Sequence, residues 1–237
     1  ISTRPDNRLA PAAADQGVAW VGPADADVEA DPSVRLLKAV YDRFAPQFPG
    51  GAPGLTITTY ADAPPGSGLG TSSAMVVALV SAMLTLLDRK AFPAEIARLA
   101  FEIERVDLGL AGGRQDQYAA AFGGFNLMSF EAHERVQVQP LQLSHVLLKE
   151  LEASLVLYFT GVSRDSASVI DDQAANMRRR EPQALEALHA LKDGARRMTA
   201  ALDRCDLREF GRLLDAGWTS KKALASRVSN PAIDEVY

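Results

Sequence analysis

The chain predicts an α+β fold in two parts, a mixed N-terminal half followed by a helix-rich C-terminal half. Three observations carry this. Residues 55–60 are β-prone and run through a glycine loop into an apolar stretch that opens at Ala74. A second strand pair is expected at 125–130 and 136–138, entered through the turn Gly123-Gly124. Beyond it, helical periodicity dominates, over 165–180, 183–203 and 206–226. The 237 residues, 47% of them hydrophobic, suffice for one large domain or two small ones with a sizeable core. The composition shift near 140–150 divides the chain into domains 1–145 and 146–237.

The elements follow in order. Residues 1–32 are rich in Ala, Pro and Asp and poorly periodic, so an irregular or edge segment is expected. Residues 33–44 form a helix that Ser33 can cap, with Val34, Leu37, Val40 and Tyr41 on one face. A turn at 48–54 leads to the strand 55–60, built on Thr56, Ile57, Thr58 and Thr59. The buried helix 73–87 follows the glycine loop. Pro93 opens another helix, with Ile96, Leu99, Ala100 and Ile103 on one face, ending near 107–109. Residues 107–117 are a second glycine-rich loop, and 118–122 a short helix. The run Leu-Val-Leu-Tyr-Phe-Thr at 155–160 reads as a buried strand. In the C-terminal helices Leu185, Leu188, Ala195, Met198 and Leu202 make a core stripe. There is no internal repeat.

Composition excludes several functions. Net charge is −5 and no basic run offers a nucleic-acid footprint. Arg178, Arg179 and Arg180 sit among acids and helix formers as a solvated face. The single Cys205 allows no intramolecular disulfide, which suits a reducing cytoplasm, and its flanks give it no catalytic context. With three scattered histidines a zinc site is not expected. No signal peptide is visible, and the apolar stretch 74–87 is too short and too broken by Ser and Thr to span a bilayer. The expectation is a cytoplasmic protein without nucleic-acid or membrane partners, a homodimer being left open.

The most informative segment is 64–74, Pro-Pro-Gly-Ser-Gly-Leu-Gly-Thr-Ser-Ser-Ala. Alternating Gly66, Gly68 and Gly70 let the backbone turn tightly and bring its N–H groups to an anion. The helix start adds unpaired donors and a positive dipole end. Thr71, Ser72 and Ser73 add hydroxyls for phosphate oxygens or a magnesium ion. The alternative is a plain Gly/Ser turn with a Ser or Thr N-cap; three glycines and three hydroxyls before a buried helix favour a phosphate cradle. No lysine lies between Gly66 and Asp88, so the Walker pattern fails, and Gly70 follows Gly68 too soon for the dinucleotide fingerprint.

Two acids border the second loop. At ~100° per residue, Glu104 falls about 80° from the apolar centre at Ile96, on the edge of the buried face, and Glu102 about 120° away on the other side. Glu104 is either a carboxylate within reach of a magnesium ion or an ordinary exposed one. Asp116, after Gly112-Gly113-Arg114-Gln115, either caps a helix that begins at Gln117 or takes or orients the proton of a substrate hydroxyl. With both loops present, a phosphoryl-transfer site is the coherent reading.

The segment Pro64 to Ala74 resembles the ATP-binding motif of the GHMP kinases. Glu102-Ile-Glu104-Arg105 and Gly112-Gly113-Arg-Gln-Asp116-Gln117-Tyr118 are most similar to the heptose 7-phosphate kinases of that superfamily. Similarity continues through 158–164, 218–222 and 229–234. The resemblance implies a two-domain GHMP architecture: a half like ribosomal protein S5 domain 2, then a helix-rich α+β half. It implies that Pro65, Gly66, Ser67, Gly68, Leu69, Gly70, Thr71, Ser72 and Ser73 wrap the ATP phosphates. Ser72 and Glu104 would hold Mg²⁺, and Asp116 would activate the anomeric hydroxyl of a sugar phosphate. Gly112, Gly113 and Arg164 would stand near the acceptor. The implied product is heptose 1,7-bisphosphate, a step towards GDP-heptose for surface polysaccharide. Such kinases also carry an early Arg-x-Pro-Leu-Arg and Gly-Gly-Gly-x-Asp motif and a late Gly-Ala-Gly-Gly-Gly loop. Neither occurs here, so the resemblance implies a chain trimmed at both ends. A sibling kinase for fucose or galactose, and a nucleotide-binding module without catalysis, remain alternatives.

Overall fold

A computed structural model of the chain describes residues 1–26, 31–160, 166–225 and 228–237. These form two compact units, Ile1–Phe122 and Gly123–Tyr237.

In the first unit a sheet backs onto helices. The strands are β1 (Ser2–Arg4), β2 (Arg8–Ala13), β3 (Val18–Ala19), β4 (Gly22–Pro23) and β5 (Gly54–Thr59). β5 runs between β1, antiparallel, and β2, parallel, while β3 and β4 both pair with the far edge of β2. The parallel pair requires a crossover, which the helix α1 (Pro32–Phe44) supplies. Residues 1–32, expected to be irregular or edge, thus contribute four strands. Ala-rich β2 has low strand propensity and carries Pro11. Pro11 is tolerated because it falls between the residues that pair with β4 and those that pair with β3, where the missing N–H breaks no bond on that edge. β5 follows its alternation, with Leu55, Ile57 and Thr59 inward and Thr58 outward.

Helices α2 (Thr71–Leu86), α3 (Pro93–Glu102) and α4 (Gln115–Phe122) complete this unit. Val34, Leu37, Val40 and Tyr41 of α1 are buried as expected. The cap of α1 is Asp31 rather than Ser33, two residues earlier than the pattern suggested: its carboxylate accepts from the Ser33 N–H at 2.8 Å. α2 is apolar nearly all round because α1, α3 and α4 all pack on it. Val76, Val80 and Met83 of α2 meet Leu9, Leu55 and Ile57 of the sheet in one core. Burial of each such side chain contributes about 1.5–3 kcal/mol.

In the second unit β6 (Asn126–Phe130) and β7 (Val136–Pro140) form the expected antiparallel hairpin. Helices α5 (His145–Ser154), α6 (Ser166–Arg178), α7 (Pro182–Asp203), α8 (Leu207–Leu224) and α9 (Pro231–Val236) follow. α5 and α9 were not foreseen. The expected stripe on α7 is corrected: Leu202 is buried and Leu188 packs on a buried cluster, but Ala195 is exposed and Ala184 and Ala187 are buried instead. Residues 155–160 form no strand. No strand among the described residues pairs with them, and Val156 and Leu157 are 90% and 81% exposed. An apolar run becomes a buried strand only when a partner strand takes up its N–H and C=O groups.

Candidate active site

The glycine loop takes the conformation its residues allow. Gly66, Gly68 and Gly70 have φ of 72°, 77° and 71°, a region open to glycine and strained for other residues. Gly70 is the N-cap of α2, and no side chain caps the helix. The first N–H groups of α2 therefore face outward beside the exposed Ser72 hydroxyl, at the positive end of a helix of 16 residues. Ser67 Oγ is a buried atom with no hydrogen-bond partner. Pro65, Gly66, Gly68 and Leu69 lie exposed, and Thr71 is half-buried.

Glu104 is drawn into this site by a change of helical pitch. After α3 the chain widens into a π-helical turn, Ile103–Asp107, in which the Leu108 N–H reaches back to the Ile103 carbonyl at 3.0 Å. The turn swings Glu104 fully inward, to 1% exposure, beyond the edge position expected from a regular α-helix. The Ser72 hydroxyl donates to Glu104 Oε1 at 3.0 Å, and Gln117 Nε2 donates to Oε2 at 2.5 Å. Gln117 Nε2 also lies 3.1 Å from the hydroxyl oxygen of the buried Ser73. No Lys, Arg or His among the described residues pairs with Glu104. Glu102, by contrast, is bridged to Arg43 at 2.8 Å and Arg98 at 2.5 Å.

A buried carboxylate served only by neutral donors is left without a counter-charge. That fits a magnesium ion, which takes one or two carboxylates and fills its shell with water and phosphate oxygens. Among the described residues no group of three or more His, Cys, Asp or Glu converges, so the protein's share would be the Ser72 hydroxyl and Glu104.

Asp116 lies exposed in the first turn of α4. The helix begins at Gln115, so Asp116 does not cap a helix starting at Gln117. Its carboxylate is pressed against the glycine loop: a Cβ placed on Gly70 would come 3.3 Å from Asp116 Cγ. The structure thus brings Asp116, Ser72 and Glu104 to the N-terminal end of α2. In the second loop, Gly112 has φ 146° and lies under the Arg105 guanidinium, which a Cβ would meet at 2.7 Å. Arg105 Nε donates to the Gly113 carbonyl at 3.2 Å and so braces the loop against the π turn. Arg164 lies outside the described residues.

A cavity of about 380 Å³ opens beside the glycine loop, within the range of small-molecule sites. Pro65, Gly66, Thr71 and Ser72 line one end, and Leu36 and Met75 are among its apolar walls. The sequence reading missed Gln117 and Arg105 as site residues. Gln117 had one signal: it is the single amide inside the short apolar stretch that follows Asp116.

Comparison with known proteins finds the relatives of this chain. A family model described as the GHMP kinases N terminal domain matches residues 35–124. The D-glycero-alpha-D-manno-heptose 7-phosphate kinase of Campylobacter jejuni is 40% identical over 207 residues, covering 87% of this chain and 60% of that protein. The crystal structure of a D-glycero-D-manno-heptose 1-phosphate kinase from Bacteroides thetaiotaomicron is similar with a TM-score of 0.77 at 40% identity, over 93% of this chain and 65% of that one. A putative sugar kinase from Campylobacter jejuni gives a TM-score of 0.76 at 37% identity, over 99% of this chain and 67% of that one. The chain thus spans 60% of the length of the curated heptose kinase it matches.

Proposed function

Because the chain belongs to the GHMP kinase family, we propose that it is the nucleotide-binding part of an ATP-dependent heptose phosphate kinase. The observation that carries this is the packing of Asp116 against Gly70, which sets a carboxylate beside the N-terminus of α2. A terminal phosphate cradled on the α2 N–H groups would meet Asp116 at its outer side. The 380 Å³ cavity, continuous with the loop through Pro65 and Gly66, is of a size to seat the nucleoside.

Asp116 accepts the proton of the acceptor hydroxyl, whose oxygen attacks the γ-phosphorus. The bond from that phosphorus to the bridging oxygen breaks, and ADP leaves with the electron pair. The α2 N–H groups and the Ser72 and Thr71 hydroxyls hold the phosphates in line, and catalysis rests on positioning and charge neutralisation. Ser72 and Glu104 would hold a magnesium ion, which when bound neutralises phosphate charge. The acceptor is heptose 7-phosphate, by analogy with the relative named for it, and its anomeric hydroxyl is the group that the motif resemblance implies.

The test is the full protein with ATP, Mg²⁺ and a panel of sugars and sugar phosphates, followed by ³¹P NMR. A new anomeric phosphate on heptose 7-phosphate, lost in Asp116→Asn with ATP binding retained, supports the reading. Transfer to a different sugar alone would discard the heptose. ATP binding without transfer to any acceptor would refute the kinase.

A further inference from the structure

We propose that Gln117 is the positioning residue of this site, the group that ties the Glu104 carboxylate to Ser73 and fixes it in the orientation metal binding needs. The inference rests on the reading of Glu104 as a metal ligand. Gln117 is 0% exposed, inside α4, one residue from Asp116. Its amide spans three elements of the site. Nε2 reaches Glu104 Oε2 in the π turn at 2.5 Å and Ser73 Oγ in the first turn of α2 at 3.1 Å, from its own place in α4.

The orientation of this amide follows from its neighbour. A carboxylate facing it can only accept, so the nitrogen must face Glu104. The amide oxygen is then directed elsewhere, and Gln117 Oε1 is a buried atom with no hydrogen-bond partner. An unpaired buried acceptor is destabilising, so an apolar side chain of the same length would serve packing better. The feature an apolar chain lacks is the donor to Glu104. With Oε2 tethered by Gln117 and Oε1 touched by the Ser72 hydroxyl, the carboxylate cannot rotate, and Oε1 stays beside Ser72. Groups that orient a metal ligand in this way are worth about 10–100-fold in metal affinity.

The test is Mn²⁺ binding to the full protein with a non-hydrolysable ATP analogue, read by EPR. Wild type, Glu104→Gln, Gln117→Met and the swapped pair Glu104→Gln/Gln117→Glu are compared. The expected result is weaker Mn²⁺ binding in Gln117→Met by about 10–100-fold, with metal-free nucleotide affinity unchanged. In turnover, half-saturating Mg²⁺ rises while KM for the acceptor holds. The swapped pair restores the amide–carboxylate bond with its polarity reversed, so it should recover the thermal midpoint without recovering Mn²⁺ binding. This separates orientation from folding should Gln117→Met prove unstable. If Glu104→Gln abolishes Mn²⁺ binding and Gln117→Met matches wild type within twofold, the Gln117 proposal is overturned and the metal reading stands. Wild-type Mn²⁺ affinity in the swapped pair overturns it as well. If Glu104→Gln binds Mn²⁺ normally, the metal reading itself fails and the proposal falls with it.

Discussion

Replacing Glu104 by glutamine should make the ligand-free protein more stable while removing its grip on a divalent cation. The carboxylate is 1% exposed and meets only neutral donors, the Ser72 hydroxyl and the Gln117 amide. Removing a charge from water carries an effective penalty of several kcal/mol. Two hydrogen bonds to a charged acceptor return about 1.5–3 kcal/mol each. The terms nearly offset, and the shortfall against the buried charge is on the order of 2 kcal/mol. Glutamine at 104 keeps a carbonyl for Ser72. Its new N–H₂ would face Gln117, whose amide can turn so that the presently unpaired Oε1 accepts from it. The turn leaves one end of the buried Gln117 amide without a partner, as now, while Ser73 can donate to the turned oxygen and the charge is gone. For a chain of this size ~2 kcal/mol corresponds to a rise of about 4–8 °C in the midpoint. The assay is thermal unfolding followed by circular dichroism in EDTA, wild type against Glu104→Gln. A lower midpoint in the variant would refute the reasoning, because the carboxylate would then be serving the fold and not awaiting a cation.

Four further outcomes are expected. Gly70→Ala should lose about 1–2 kcal/mol from the positive φ alone, seen in urea unfolding, and should weaken nucleotide binding because the new methyl group meets Asp116; unchanged nucleotide affinity would separate the loop from Asp116. Gly112→Ala must displace the Arg105 guanidinium, so backbone amide NMR shifts should change at Arg105 and Gly113, and silence there would count against the brace. Asp206 caps α8 by accepting from the Glu209 N–H at 2.9 Å, and Asp206→Ala should cost about 1 kcal/mol of stability in urea. The Asp6 carboxyl is held at about 2, chiefly by its hydrogen bonds with Arg4. Its contribution to stability is therefore complete above the ordinary carboxylate range and is lost as pH falls towards 2; in Arg4→Met an NMR titration should find Asp6 moved up towards 3.8.

The glycine loop was legible because its geometry is written in single residues. Glycine at 66, 68 and 70 announces positive φ, and three hydroxyls before an apolar run announce a helix start. The hairpin was equally plain from alternation around Gly123-Gly124. Three things were hidden for physical reasons. Strand β2 carries alanines and a proline, and exists because β5 and its antiparallel neighbours supply the pairing that its own side chains do not encode. The burial of Glu104 depends on a π turn, and a projection at constant pitch cannot foresee a local widening. Gln117 gained its meaning only when Ser73 and Glu104, 44 and 13 residues away, were brought to its amide. In 155–160 the error ran the other way: composition foretold a strand, but a strand is a relation between two segments.

That same stretch has a practical consequence. Leu155, Val156, Leu157, Tyr158 and Phe159 form a short, uncharged, proline-free window of high β-propensity, held open to solvent. Such a window behaves as an adhesive edge, ready to stack with its own kind in concentrated solution. Charging its most exposed position, with Val156→Lys, would act as a gatekeeper against this self-stacking. Without that charge, preparations of this chain are expected to be limited by colloidal behaviour rather than by the stability of its folded units, and their shelf life to follow protein concentration more than temperature.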